Sequence, residues 1–252
     1  MLHTILSGTA SELPPILIAH GLYGSARNWG GIAKNLSNNR LVITVDMRNH
    51  GASQWFDSHN YLDMAADLAE VITAHGEVAD VIGHSMGGKA AMALALMHPQ
   101  LLRRMIVADI APVSYDRTQT PIIRALRKLN LNKIEKRADA DRLLAAEITD
   151  AGTRAFLLQS LDLKEKRWRL NLDVLEAEMP EIMGFPEFNM TFGNPVLFLS
   201  GANSDYVLNS QRAQIKARFP NARFARIPDT GHWLHAERPR EFEATARVFL
   251  GS

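Results

Sequence analysis

Short apolar runs rich in branched residues alternate along the chain with longer stretches in which apolar residues recur every three or four positions. Runs of the first kind are typical of buried strands, and stretches of the second kind are typical of helices that pack one face against a sheet. Seven runs fit the strand pattern: residues 3–8, 16–20, 41–46, 79–84, 104–110, 196–201 and 222–228. The alternation predicts an α/β fold with a mostly parallel sheet flanked by helices.

One long stretch, between the fifth and sixth apolar runs, departs from this alternation. It shows no clear strand, and helical spacing appears instead at residues 122–131, 140–148 and 153–161. A loop of that length without secondary structure is uncommon in a compact domain. We therefore expect a core domain formed by residues 1–111 and 193–252, with a helical cap (residues 112–192) inserted into it.

The composition narrows the classes of function without identifying one. Hydrophobic residues make up 46% of the chain, charged residues 22%, and the formal net charge is +1 with no basic stripe, so nucleic-acid binding is not expected. The absence of cysteine excludes disulfides, thiolate metal sites and cysteine nucleophiles. No segment has the pattern of a signal peptide or a membrane span, which predicts a cytoplasmic protein. The sequence does not predict an oligomeric state.

The pentapeptide Gly83-His84-Ser85-Met86-Gly87 fits the G-x-S-x-G pattern of a nucleophile elbow. A branched apolar run precedes it and a run of good helix formers follows it. This context predicts a sharp strand-to-helix turn that exposes the Ser85 hydroxyl at the start of a helix, where the helix dipole favours negative charge. The same pentapeptide without this context would be equally consistent with a glycine turn that carries an incidental serine.

A phosphate-loop pattern, Gly83-x-x-x-x-Gly88-Lys89, overlaps the elbow motif. That pattern requires a serine or threonine hydroxyl on the metal ion at the next position, and the residue there is Ala90. The nucleotide-binding interpretation is therefore disfavoured.

A second glycine-rich segment, His20-Gly21-Leu22-Tyr23-Gly24, closes the strand at residues 16–20. Elbow-type hydrolases stabilise the oxyanion with the amide after the nucleophile and with an amide from the loop after an earlier strand. The corresponding amides here are those of Met86 and Leu22, and His20 is interpreted as structural. A plain glycine turn explains the segment equally well when it is considered alone.

The general base in this arrangement follows the nucleophile along the chain, in the order serine, acid, histidine. Of nine histidines, His232 lies in Thr230-Gly231-His232-Trp233, directly after the last predicted strand. We interpret His235 as a packing residue and His50 as part of a structural turn. His232 is the predicted base.

Two aspartates are candidates for the acid that orients His232. The usual position lies three residues after Gly201, and it is occupied here by Ser204, with Asp205 one residue later. Asp109 ends the preceding predicted strand and points to the same edge of the sheet. We favour Asp109 as the acid and expect Ser204 to hydrogen-bond the histidine, with Asp205 as the alternative and Asp229 assigned to a turn.

Together with Asp46-Met47-Arg48-Asn49-His50-Gly51, the motifs at residues 20–24, 83–88 and 231–233 resemble the α/β-hydrolase superfamily. Asp109-Ile110-Ala111-Pro112 and Trp168-Arg169-Leu170-Asn171-Leu172 are further similar to its bacterial YbfF-type esterase branch. The resemblance implies an eight-stranded sheet with a cap, hydrolysis of small esters and some acyl-CoA thioesters, and no cofactor or metal. It also implies an acid at Asp109 and an additional serine at Ser204.

The sequence thus predicts a serine hydrolase, a carboxylesterase or acyl-CoA thioesterase, that acts through an acyl-enzyme on Ser85. A haloalkane dehalogenase or epoxide hydrolase is excluded because its nucleophile would be an aspartate. A cofactor-free haloperoxidase or perhydrolase would use the same three residues, and a non-catalytic protein that binds a small ligand is the alternative from another class. Four cap residues are candidates for an acyl pocket, although we expect most of them to form the core of the cap: Phe156, Trp168, Met179 and Met183.

Overall fold

The central element of the fold is a seven-stranded sheet within residues 1–251, the part of the chain that this computed structural model describes. With a separate hairpin included, the strands in chain order are β1 (Thr4–Ser7), β2 (Ile16–Ala19), β3 (Val42–Val45), β4 (Ala79–His84), β5 (Leu102–Ala108), β6 (Leu161–Asp162), β7 (Arg167–Trp168), β8 (Val196–Gly201) and β9 (Ala222–Ile227). The order across the sheet is β1-β3-β2-β4-β5-β8-β9. Strand β1 runs antiparallel to β3 and the other neighbouring pairs are parallel, which confirms the predicted α/β class.

The sheet has one strand fewer than the eight that the family resemblance implied. Its seven strands coincide with the seven apolar runs of the sequence. Residues 9–15, which precede β2, contain two prolines and no branched run, and they form no strand.

Helices cover both faces of the sheet. In chain order they are α1 (Gly30–Leu36), α2 (Tyr61–His75), α3 (Met86–Met97), α4 (Thr120–Arg127), α5 (Arg137–Leu144), α6 (Ala151–Leu157), α7 (Leu172–Ala177), α8 (Met179–Met183), α9 (Arg212–Arg218), α10 (Leu234–Glu237) and α11 (Pro239–Leu250). Successive side chains of a strand point to opposite faces, so Leu17 and Ala19 join the core formed with α2 and α3, whereas Ile16 and Ile18 join the core formed with α1 and α11. Burial on both faces explains why these strands are continuous apolar runs.

The segment predicted to form the cap, residues 112–192, contains α4 to α8 between β5 and β8, and the three predicted helical stretches overlap α4, α5 and α6. It also contains the antiparallel hairpin β6–β7, so the expectation of a cap without strands was wrong. Strands of two residues are too short to show an alternating pattern. The division of the chain into a core domain and a cap stays a prediction. Within residues 1–251, no helix combines the length and the apolar character that are needed to cross a bilayer.

Candidate active site

Ser85 lies in the turn between β4 and α3, in a strained backbone conformation. Its φ of 52° and ψ of −120° are unusual for a residue with a side chain. The Ser85 amide donates to the carbonyl oxygen of Ala108, 3.0 Å away, which fixes the turn against β5. A Cβ atom at Gly83 would overlap the carbonyl oxygen of Gly87, and one at Gly87 would overlap the backbone of Ala19. The two glycines of the motif are therefore required by close backbone approach.

His232, in the loop after β9, joins the serine to a carboxylate. Its Nε2 lies 3.1 Å from Ser85 Oγ, and its Nδ1 lies 2.7 Å from Asp109 Oδ2. Because the Asp109 carboxylate is an acceptor, Nδ1 carries the hydrogen of the neutral ring. This assignment leaves the Nε2 lone pair directed at the serine hydroxyl, which is the geometry of a general base.

Asp109 is fully buried at the end of β5, with a positive φ of 51°. Besides His232, two donors hold its carboxylate: the Gly201 amide at 3.1 Å from Oδ1 and the Ser204 hydroxyl at 2.5 Å from Oδ2. The predicted hydrogen bond from Ser204 to the histidine was therefore wrong. Strands β5 and β8 are neighbours in the sheet. Ser204, which follows β8, therefore lies within hydrogen-bond distance of the Asp109 carboxylate at the end of β5.

Asp205, the alternative acid, points away from His232. Its side chain is 70% exposed, and its two oxygens each accept from the Arg117 guanidinium at 3.2 Å. The shift of one residue after the strand directs this carboxylate to the surface. Asp229 is also exposed, in the turn after β9. Of the three aspartates, the structure brings only Asp109 to the imidazole.

Two further rings lie next to the His232 imidazole. The Tyr206 ring lies parallel to it within 20°, with centroids 3.9 Å apart, and the centroid of the His84 ring lies 4.8 Å away with the two planes tilted by 42°. His84 Nε2 also donates to the His232 carbonyl oxygen at 2.9 Å. Burial and the neighbouring His235 and His232 rings hold the pKa of His84 well below its ordinary value, so His84 is neutral. Sequence reasoning missed Tyr206, whose only signal was an aromatic residue two positions after Ser204.

The two predicted oxyanion amides lie on either side of the serine. Met86 is the first residue of α3, so its amide has no acceptor within the helix. The Leu22 amide donates to no acceptor among the residues that the structure describes, whereas the next amide, that of Tyr23, donates to His50 Nε2 at 3.1 Å. A Cβ atom at Gly21 would lie 3.2 Å from Ser85 Cβ, which shows how closely this loop approaches the nucleophile.

The other histidines near the site are neutral structural residues. His20 donates from Nδ1 to the Gly21 carbonyl oxygen and accepts the Met47 amide at Nε2, and burial lowers its pKa. His50 donates to the Arg48 carbonyl oxygen, and burial keeps its pKa well below the ordinary value. His235 stacks on Trp29 with centroids 4.2 Å apart, and burial, followed by the nearby His232 ring, lowers its pKa to about 3. The sequence-based assignments of these three residues agree with their positions.

A pocket of about 840 Å³, including its open mouth, begins at Ser85 and extends between the core and the cap. Its lining is largely apolar and aromatic and includes Phe156 and Met183 of the four cap candidates. Trp168 and Met179 do not line it: Trp168 is buried and donates from its indole to the Leu126 carbonyl oxygen, as expected for the core of the cap. A largely apolar pocket with a few polar groups suits an acyl chain or an uncharged alcohol.

Lys89 also lines this pocket, although it is 1% exposed. Its Nζ donates to two carbonyl oxygens at the end of α8, those of Met183 at 2.9 Å and Gly184 at 2.5 Å. It also lies over the Tyr115 ring, 4.8 Å from the centroid. Burial lowers the pKa of Lys89 to about 7. Lys89, the lysine of the phosphate-loop pattern, thus binds carbonyl oxygens at the end of α8. This contact weakens the nucleotide-binding interpretation further.

Comparison with known proteins gives matches along most of the chain. A family profile described as the alpha/beta hydrolase fold matches residues 14–239. The chain is 38% identical to "sn-1-specific diacylglycerol lipase ABHD11" of Mus musculus, over 98% of this chain and 84% of that protein. It is also 38% identical to "Esterase YbfF" of Escherichia coli strain K12, over 94% of this chain and 92% of that protein. A solved structure described as "Marine microorganism esterase" superposes with a TM-score of 0.92 at 37% identity, covering 99% of this chain and 100% of the other.

Proposed function

The chain belongs to the α/β-hydrolase family, and on this basis we propose that it is a serine esterase with Ser85 as nucleophile, His232 as general base and Asp109 as orienting acid. The observation that carries the proposal is the continuous chain from Ser85 Oγ through the imidazole to the Asp109 carboxylate, with separations of 3.1 and 2.7 Å. The names of the relatives, esterase and lipase, support ester bonds as the substrate class.

In the first half of the proposed reaction, His232 Nε2 takes the proton of the serine hydroxyl while Oγ forms a bond to the carbonyl carbon. The amides of Leu22 and Met86 stabilise the resulting oxyanion, and removal of one such donor in other hydrolases costs about 3 kcal/mol. The bond from carbon to the leaving oxygen then breaks, and His232 returns the proton to the departing alcohol. Asp109 holds the imidazole and stabilises the imidazolium that forms in between.

In the second half, water replaces the alcohol. His232 takes a proton from the water as its oxygen attacks the acyl carbon. The bond from that carbon to Ser85 Oγ then breaks, and His232 returns the proton to Oγ, which gives a carboxylic acid and free Ser85. The same steps apply to a thioester, with a thiol as the leaving group. We include acyl-CoA thioesters within the proposed substrate class because the chemistry at the carbonyl carbon is unchanged.

We also propose that residues 112–192 act as the cap over the core domain of residues 1–111 and 193–252. Side chains from α4, α6 and α8 supply the wall of the pocket opposite the sheet: Ile122, Phe156, Leu157, Ile182 and Met183. Since these residues are apolar, the cap would select substrates by the size and shape of their hydrocarbon part.

The nucleophile is tested by active-site labelling. A fluorophosphonate probe should label the wild-type protein and fail to label Ser85→Ala, and hydrolysis of p-nitrophenyl butyrate by the variant should fall at least about 10⁴-fold. Ser37→Ala, a change at a half-buried serine directly after α1, is the matched control and should behave like the wild type. Labelling of Ser85→Ala at the wild-type rate would place the nucleophile elsewhere.

A further inference from the structure

The imidazole of His232 is held in its own plane and also across one of its faces. The hydrogen bonds to Ser85 and Asp109 act in the plane of the ring. These hydrogen bonds restrict tilting of the ring out of its plane less strongly. His232 also lies in a loop rather than in a strand, so its backbone is less restricted. The nearly parallel Tyr206 ring, at 3.9 Å between centroids, restricts that tilt.

Tyr206 is itself fixed from two directions. Its carbonyl oxygen accepts from the Tyr115 hydroxyl at 2.7 Å, and the same hydroxyl accepts the Ala111 amide at 2.9 Å. The Arg117 guanidinium lies over the Tyr206 ring, with its Cζ atom 4.4 Å from the centroid. Arg117 is in turn bound through two parallel contacts by Asp205. These contacts form a row of four groups, His232, Tyr206, Arg117 and Asp205, that ends in a cation and its counter-ion.

We propose that Tyr206 and Arg117 are positioning residues for the general base. Tyr206 keeps the imidazole in line with the serine hydroxyl, and the Arg117–Asp205 pair fixes Tyr206 and ends the row with two opposite charges. The inference rests on the proposed function, because it takes His232 as the base. It also assigns a role to Asp205 that differs from that of the orienting acid.

The row links the cap to the catalytic base. Arg117 lies in the first residues of the cap, before α4, whereas Tyr206 lies in the loop after β8. A displacement of the start of the cap would therefore move Arg117 relative to Tyr206 and change the packing of Tyr206 against the imidazole.

The two charges of the row have opposite effects on His232. Loss of Arg117 leaves the Asp205 carboxylate, which favours the imidazolium, and loss of Asp205 leaves the guanidinium, which opposes it. Because both side chains are partly exposed, solvent screens these effects. The titratable and charged groups come from β4, the ends of β5 and β8, α10 and the start of the cap. Those next to the ring are His84, Asp109, Tyr206 and His235, and those connected to it through Tyr206 are Tyr115, Arg117 and Asp205.

The test compares kcat, KM and the pH profile of kcat/KM for p-nitrophenyl butyrate. Tyr206→Leu removes the aromatic face and should lower kcat on the order of tenfold or more, because small displacements of a catalytic group have such effects. Its KM should stay within threefold of the wild type. Tyr206→Phe retains the ring and should keep kcat within twofold.

Variants that remove one charge of the Arg117–Asp205 pair test the inference through the pH profile, which a purely structural role of these residues would not shift. Arg117→Gln should shift the acid limb of the profile to higher pH and Asp205→Asn should shift it to lower pH, each by about 0.3 unit. Arg127→Gln is the matched control, since Arg127 forms an exposed ion pair with Asp173 elsewhere on the cap. Its profile should match the wild type.

Wild-type kcat in Tyr206→Leu, or shifts of the acid limb that are absent or of the same sign in Arg117→Gln and Asp205→Asn, would overturn the inference. Failure of the proposed function is distinguishable, because His232→Ala would then keep wild-type activity. With the proposed function correct and the inference wrong, His232→Ala is inactive while the Tyr206, Arg117 and Asp205 variants behave like the wild type.

Discussion

The pocket has two walls, a core wall formed at the ends of the sheet strands and a cap wall formed by residues 112–192, and these walls are built in different ways. On the core wall, strand ends hold the reacting groups through short hydrogen bonds, and the carboxylate of Asp109 is fully buried with three donors. The cap wall consists of helices of five to eight residues, which are marginal in isolation and depend on packing. It is joined to the core by side-chain bonds to carbonyl oxygens, including Tyr61 to Ile182 at 2.6 Å and Tyr23 to Gln119 at 3.0 Å.

This difference indicates a division of work between the walls. In the proposed mechanism, the core wall fixes the positions of the atoms that react, and the cap wall contacts the part of the substrate that does not react. Changes on the core wall should therefore lower kcat, whereas changes on the cap wall should raise KM.

The largest effect is expected on the core wall, at Asp109. In Asp109→Asn the side-chain amide no longer provides a negative charge and does not select the imidazole tautomer with hydrogen on Nδ1. We expect kcat to fall by about 10³- to 10⁴-fold. Asp205→Asn, an exposed carboxylate of the same type, should change kcat at the optimal pH by less than threefold. Steady-state kinetics of both variants decide the assignment, and the reverse order of effects would move the acid to Asp205.

A smaller effect is expected on the cap wall, at Phe156. This ring lines the pocket and lies 5.7 Å from the Trp233 ring. Phe156→Ala removes apolar surface from the binding site, and we expect KM for p-nitrophenyl butyrate to rise about tenfold with kcat within threefold. Leu143→Ala, at a side chain of the cap that is 56% exposed, is the control and should leave both constants unchanged. A fall in kcat at constant KM would show that the walls are not separated in this way.

The smallest effect is expected where the walls join, at Lys89. In the folded protein the pKa of Lys89 is about 7, below the ordinary lysine pKa of 10.5, so between these values the unfolded chain binds more protons than the folded protein. Burial of the charge therefore destabilises the fold below pH 7, and this cost is relieved as the pH rises towards 10.5. From pH 7 to pH 8, the free energy of unfolding of the wild type should rise relative to Lys89→Met by up to about 1.4 kcal/mol.

Urea denaturation at the two pH values measures this change. Lys34→Met, at an exposed lysine of α1, is the matched control and should show no such difference from the wild type. A constant difference in stability between Lys89→Met and the wild type would show that Lys89 does not change its charge in this range.

Local sequence patterns were sufficient to predict the sheet and the residues that meet at its edge. The seven apolar runs became the strands, and Ser85, His232 and Asp109 each follow a strand whose end lies at that edge, so fold topology brings them together. The sequence predicted correctly that Ser204 lies at the site, but it gave His232 instead of Asp109 as its hydrogen-bond partner. The partner depends on the separation of neighbouring strand ends, which the sequence does not give. The roles of Tyr206 and Lys89 could not be predicted from local sequence, since stacking on His232 and binding to α8 exist only in the folded chain.

The hydrogen bonds between the nucleophile and its base have a consequence for biosynthesis. His84 and Ser85 meet His232 across 148 and 147 positions of the chain. A ribosome-bound fragment that ends before β9 therefore contains the serine but lacks His232, the proposed base. In the proposed mechanism, hydrolytic activity requires that the final edge strand has docked, so recovery of turnover during refolding would time that late event rather than formation of the elbow.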